Sequence, residues 1–313
     1  MEQNKKVIFI GGSSYSGSTM LDMMVANSRE GFSVGEVHAL FRPYRAHHLH
    51  PLCGCEDPSC NFWHQISTCN ENRLYKTIFS VLPEVNFIVD SSKHPLWIKQ
   101  QAENLQKQNI GVYHLLIWKK PEAFAHSMLK RKRKRWHRAW KNYYRLYFSL
   151  IDDFLSIPYS ALTKDPDKTL QDICKKTCLP YNEDRKNFWH KQHHTLFGNR
   201  SAKIHLSTKP QECNEHTLNI NRQHQTIYHD ETYYQEIPHS VINRIESDPI
   251  IQNILVSLNG KNGSSKIKKE EIRYSPLEMV ITIWRWQMRR LMFRKTGKYC
   301  KIFKIHNNAA GRQ

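Results

Sequence analysis

Residues 11–21, GGSSYSGSTML, directly follow the apolar run Val7-Ile8-Phe9-Ile10. Gly12, four residues and then Gly17 is the spacing of the phosphate-binding loop G-x-x-x-x-G-K-[ST], with Thr19 at the last position. Ser18 stands where the lysine belongs. That lysine reaches the β- and γ-phosphates of a nucleoside triphosphate, and the hydroxyl after it holds Mg²⁺. A serine in its place suits an anionic ligand with no γ-phosphate and no obligatory metal. Asp90 ends the run FIVD, but SSK follows it, so no persuasive magnesium-binding acid stands beside the loop.

Working outward, residues 7–10 read as a buried strand, and Met20, Leu21, Met23, Met24 and Val25 place a mostly buried helix after the loop. Strand, glycine loop and helix together present backbone N–H groups and a helix N-terminus to a phosphate. Strands at 86–92 and 111–118 alternate with helices at 94–108 and 122–132. A long helix at 136–154, a turn at Asp165-Pro166 and a helix at 167–177 follow. This alternation predicts an α/β, three-layer, P-loop-like fold with a mostly parallel central sheet flanked by helices. NGKNGSSKIKKEE (259–271) reads as a linker, dividing an α/β domain at 1–258 from a basic, helical C-terminal segment at 272–313.

The chain has 313 residues, ample for a sizeable core, and 11% of them are aromatic, which argues for a packed globule. Its formal net charge of +19 points to anionic partners. No stretch approaches the ~20 apolar residues of a spanning helix, and the N-terminal apolar run is too short for a signal peptide. Eight cysteines in a chain this long form no secreted disulfide framework, so they read as reduced and the protein as cytoplasmic.

Four segments in order carry a family resemblance. GSSYSGSTMLDMM with GFSVGEVHALF resembles the 5'-phosphosulfate loop of the sulfotransferase superfamily, commonly [KR]-S-G-[ST]-T-[LW]. LLIWKKPEAFAHSMLKR is similar to its 3'-phosphate segment, in which a strand-ending arginine is followed eight residues later by a helical serine. YSALTKDPDKTLQDICKKTCLP (159–180) is similar to the tyrosine strand, Asp-Pro turn and helix of bacterial members. HHTLFGNRSAK (193–203) resembles their Gly-Asn-x-x-Arg segment. The resemblance covers roughly residues 5–205 and extends to tyrosylprotein and carbohydrate sulfotransferases.

It implies transfer of a sulfuryl group from 3'-phosphoadenosine 5'-phosphosulfate to a hydroxyl or amine, with no metal required. By the resemblance, Ser14, Tyr15, Ser16, Gly17, Ser18 and Thr19 would hold the 5'-phosphosulfate, and Lys119 and Ser127 the 3'-phosphate. Arg200 reads either as a further phosphate contact or as a solvated loop cation. Glu36, in SVGEVHAL at a strand end, resembles the glutamate base of tyrosylprotein-type enzymes, with His38 in reserve. Two positions depart from the family pattern: Tyr15 replaces a Lys or Arg, and Lys119 replaces the arginine. Lys93 in VDSSKHP is the cation expected to compensate, which makes Glu36, Lys93 and Tyr15 the catalytic candidates. Two readings compete with transfer: a P-loop nucleotide kinase, and a non-catalytic nucleic-acid- or membrane-binding protein with a degenerate loop. The absent lysine speaks against the first and the Lys119/Ser127 pair against the second.

Three further stretches bear on partners. HHLHPLCGCEDPSCNFWH (47–64) offers Cys53, Cys55 and Cys60 with His64 or Cys69 as metal ligands. Cys-x-Cys-x₄-Cys is not a standard spacing, and reduced structural cysteines are the preferred reading. KRKRKRWHRAW (130–140) carries seven Lys/Arg, which suits an anionic glycan or lipid headgroup as acceptor better than nucleic acid. In SPLEMVITIWRWQMRRLMFRK (275–295), Leu277, Val280, Ile281, Trp284, Met288, Leu291 and Met292 share a helical stripe. That stripe would either dock the helix on the domain or lay it peripherally on the anionic inner membrane surface.

Overall fold

The computed structural model describes residues 5–199, 227, 229, 231–260 and 272–299. Five strands, β1 (Lys6–Gly11), β2 (Gly31–Gly35), β3 (Phe87–Lys93), β4 (Gly111–Trp118) and β5 (Leu155–Pro158), form one all-parallel sheet in the order β2-β3-β1-β4-β5. β1 is central because both its faces are apolar. Ile8 and Ile10 pack with Leu21, Met24, Val89 and Ile117 on one side, and Val7 and Phe9 with Ile88, Leu116 and Trp97 on the other. A strand covered on both faces reads as a continuous apolar run, as VIFI does. The expected α/β architecture is the observed one.

Helix α1 (Ser18–Val25) follows the glycine loop. Helices α2 (His38–Phe41), α3 (Phe62–Ser67) and α4 (Leu74–Val81) lie between β2 and β3. α5 (Pro95–Gln106) joins β3 to β4, and its first turn carries Pro95, whose missing N–H costs nothing there. α6 (Pro121–Leu129) and α7 (Trp136–Leu150) connect β4 to β5, and α8 (Tyr159–Lys164) and α9 (Pro166–Thr177) follow.

Two boundaries fall earlier than expected. α6 stops at Leu129 rather than 132, because Lys132 is left-handed (φ 57°). The Lys132 N–H donates to the Leu129 carbonyl at 2.8 Å and the Arg133 N–H to the Met128 carbonyl at 2.9 Å. These two bonds close a Schellman ending on lysine, not the glycine that would have announced it. α7 stops at Leu150 rather than 154, since Ile151 is extended and the chain turns into β5.

Helices His239–Ser247 and Pro249–Asn259 and the C-terminal helix Pro276–Thr296 complete the described chain. The expected linker lies outside the described residues except for Asn259, which ends its helix, and Gly260. No described helix is long and apolar enough to cross a membrane.

Candidate functional site

All five strands are parallel, so β1, β2, β3 and β4 end on one edge of the sheet, the edge where open α/β folds bind ligands. Gly12, Glu36, Lys93 and Lys119 all stand at or just past those ends. The loop after β1 is shaped by hydroxyls of α7. The Gly12 N–H donates to the Tyr143 hydroxyl at 2.5 Å, and that hydroxyl donates to the Lys93 carbonyl at 2.8 Å. Tyr144 lies 3.5 Å from the Ser13 hydroxyl. Tyr15 (φ 65°) and Gly17 (φ 95°) are both left-handed, a conformation that is uncommon for tyrosine.

At Gly17 a side chain would meet Tyr159 at 2.5 Å, and at Gly12 it would meet the Ile117 carbonyl oxygen at 2.7 Å. At these two positions the loop therefore fits only without a side chain. Ser14 is half-buried, whereas Ser16, Ser18 and Thr19 are buried. Gly17 at the N-cap has no side chain to cap α1, and no acid lies in the first turn, so its first N–H groups and positive dipole end suit an anion. The Ser16 hydroxyl is fully buried with no partner among the described residues, and a bound anion would satisfy it. The Thr19 hydroxyl accepts the Asn199 N–H at 3.1 Å, which draws the Gly-Asn segment onto the loop. Arg200, one residue on, lies outside the described residues.

Glu36 and Lys93 form an ion pair, and Tyr44 donates to the other carboxylate oxygen at 3.3 Å. Burial is the largest influence on the Glu36 carboxyl and would raise it, but the charge and hydrogen bond of Lys93, with His38 and Arg45 nearby, together hold the group at about 2. Lys93 itself is left-handed (φ 64°) at the last position of β3. His38 is pushed down to about 3, chiefly by burial, so it is neutral at physiological pH. Asp90 is saturated by Tyr75, Trp97 and the Ser92 N–H, at 2.5, 2.8 and 2.6 Å, and acts as a core acceptor.

Lys119 lies with its ammonium 4.2 Å from the centre of the Tyr159 ring, the ring that packs on Gly17. Ser127 is half-buried on α6, and its carbonyl accepts from Arg131 at 2.7 Å. The Arg131 guanidinium in turn lies 4.1 Å over the Tyr15 ring. Sequence reasoning missed Arg131 because it sits in a run of seven Lys/Arg that reads as one anion-facing stretch, with nothing to single it out. It missed Tyr44 and Tyr143 because neither belongs to a motif. The i, i+4 spacing of Ser127 and Arg131 was the one available signal.

The C-terminal helix docks, but not by its apolar stripe. Trp286 and Arg289 are buried, whereas Leu277, Val280, Ile281, Trp284, Leu291 and Met292 are exposed. Trp286 stacks on His94 at 4.1 Å and beneath Arg42 at 4.1 Å, Arg290 pairs with buried Glu71 at 2.9 Å, and Glu278 pairs with Arg145 at 3.0 Å. His38 stacks on the same tryptophan at 6.4 Å, so this helix backs the segment that follows Glu36. Cys53, Cys55 and Cys60 meet in space, and the fourth group beside them is His194 rather than His64 or Cys69.

The sequence matches no protein-family model and no curated protein. Among solved structures, it is similar to the "Sulfotransferase Domain from the Curacin Biosynthetic Pathway". That match has a TM-score of 0.53 and 14% identity, covering 82% of this chain and 99% of that one. A second similar structure is the "Sulfotransferase Domain from the Synechococcus PCC 7002 Olefin Synthase", with a TM-score of 0.45 and 18% identity over 79% and 95% of the two chains. At such identity the likeness is one of fold, and the fold is that of the curacin-pathway sulfotransferase domain.

Proposed function

We propose that this chain is a sulfotransferase that moves a sulfuryl group from 3'-phosphoadenosine 5'-phosphosulfate to a hydroxyl or amine of an anionic glycan or lipid headgroup. One observation carries the reading: the loop that lacks the lysine follows β1, and on the same sheet edge Lys93 at the end of neighbouring β3 pairs with Glu36 just past β2. The donor suits this loop, because its 5'-phosphate would meet the α1 N-terminus and the Ser16 hydroxyl. Lys119 and Ser127 would take the 3'-phosphate, which nucleoside triphosphates lack.

The chemistry is an in-line displacement catalysed by positioning and charge. The bond from sulfur to the bridging phosphate oxygen breaks, a bond from sulfur to the acceptor oxygen or nitrogen forms, and the acceptor proton passes to Glu36. A carboxylate held at about 2 is a weak base. Lys93 resolves this by having two partners: it neutralises Glu36 in the resting site and turns to the sulfuryl oxygens when the donor binds. Released from the ammonium, the buried carboxylate rises toward the range a base needs.

Titration of adenosine 3',5'-bisphosphate and adenosine 5'-phosphate into wild type and Lys119→Ala tests the donor assignment. A charged contact contributes about 1.5–3 kcal/mol. Lys119→Ala should therefore lose at least roughly tenfold for the bisphosphate and little for the monophosphate. Equal losses for both ligands would overturn the assignment.

A further inference from the structure

We propose that Cys53, Cys55, Cys60 and His194 bind one zinc ion as a structural site that holds the wall on which Glu36 stands. Their four ligand atoms all lie within 4.8 Å of one another. The His194 Nδ1 is 3.3 Å from the Cys53 sulfur and 3.5 Å from that of Cys60. A tetrahedral zinc with bonds of about 2.3 Å to sulfur and 2.0–2.1 Å to nitrogen sets its ligands about 3.5–3.8 Å apart. Three thiolates and an imidazole form a closed donor set of the structural kind, with no position left for a reacting water.

The backbone shows how the ligands come together. The Glu56 N–H donates to the Cys53 carbonyl at 3.3 Å and the Cys60 N–H to the Asp57 carbonyl at 3.1 Å, two successive tight turns that gather the three thiols. The imidazole packs against the Phe32–Phe62 pair, stacked on Phe32 at 6.2 Å and tilted against Phe62 at 6.1 Å, while the Trp63 indole N–H holds the His194 carbonyl at 2.5 Å. His194 is thus oriented before any ion binds, as a metal ligand must be.

The site cross-links two segments that are remote in sequence. The Gly54 N–H donates to the Thr195 carbonyl at 3.0 Å, and Leu196 bridges both Cys53 and Gly35. The Leu196 carbonyl accepts the Glu36 N–H at 2.8 Å, and the chain runs on through left-handed Phe197 and Gly198 to Asn199, whose N–H donates to the Thr19 hydroxyl. Fixing His194 to the three cysteines therefore fixes the backbone of both Glu36 and the phosphate loop.

The test is elemental analysis of the full chain, expressed with zinc and purified without chelator under reducing conditions. About one equivalent of zinc is expected. A thiol-blocking mercurial should release it, and Co²⁺ in its place should give the intense visible bands of tetrahedral thiolate coordination. Cys60→Ser and His194→Ala should each lose the metal, and Cys178→Ser should keep it. A chelator should lower the melting temperature of wild type, an effect read without any variant. Metal-free protein with all four groups unligated, or a disulfide among the three cysteines found by mass spectrometry, would overturn the proposal.

Discussion

Glu36 and Lys93 are only 14% and 17% exposed, so each depends on the other to stay charged. Removing the ammonium takes away the main charge that opposes burial, and burial favours the protonated form. In wild type the acid limb of kcat/KM should be absent above pH 5, because Glu36 is held at about 2 and His38 at about 3. In Lys93→Met that limb should move upward into the working range; a profile that does not change between the two proteins would separate Lys93 from the base. Glu36→Gln should cut turnover about 10²–10⁴-fold while bisphosphate affinity holds, and full turnover would place the base elsewhere. Tyr15→Phe should cost less than Arg131→Ala, since Arg131 brings a full charge over the Tyr15 ring where the family pattern has a cation. Glu36, Lys93 and Lys119 were legible in the sequence because strand ends in a parallel sheet converge on one edge. Arg131 was not, since its role comes from a helix ending that uses lysine where glycine is usual.

The C-terminal helix shows why an element can be placed correctly and its docked face still be misread. Its apolar stripe was visible, but the buried face is Trp286 with Arg289, held by His94, Arg42 and the buried Glu71. Periodicity counts apolar residues and cannot register cation–π or ion-pair docking with residues some 200 positions away. Trp286→Ala should destabilise the protein by about 3–5 kcal/mol, whereas Trp284→Ala, 54% exposed, should change denaturation midpoints little. Equal effects would mean that the helix docks the other way round. The exposed stripe is the surface we propose for peripheral contact with an anionic membrane. Trp284→Ala should weaken binding to vesicles rich in anionic lipid and leave stability intact. Vesicle binding that Trp284→Ala does not alter would remove that role.

Across the whole molecule, the buried aromatic region behind the site is rich in neutral histidine. His38 and His48 are each held at about 3 and His94 well below its usual value, burial being the first cause in all three. The unfolded chain takes up protons at these positions below about pH 6.5 and the folded chain does not, so stability falls as pH drops from there. Each histidine adds a slope of up to about 1.4 kcal/mol per pH unit. Denaturant midpoints at pH 7 and pH 5.5 should differ clearly, and identical midpoints would contradict the burial of these rings. A parallel sheet with the glycine loop at its carboxyl edge followed from VIFI, the loop after it and the alternation of strands and helices; the strand order β2-β3-β1-β4-β5 did not. The pairing of His194 with Cys60 did not, because nothing in the intervening sequence signals that contact. We propose that the loop after β1, lacking the lysine, selects against triphosphates. Calorimetric titration of the full chain with adenosine 3',5'-bisphosphate and, separately, with ATP and Mg²⁺ tests that claim most directly. The bisphosphate should bind saturably without added metal and at least roughly tenfold more tightly than ATP with Mg²⁺. Tighter binding of ATP that requires Mg²⁺ would contradict it.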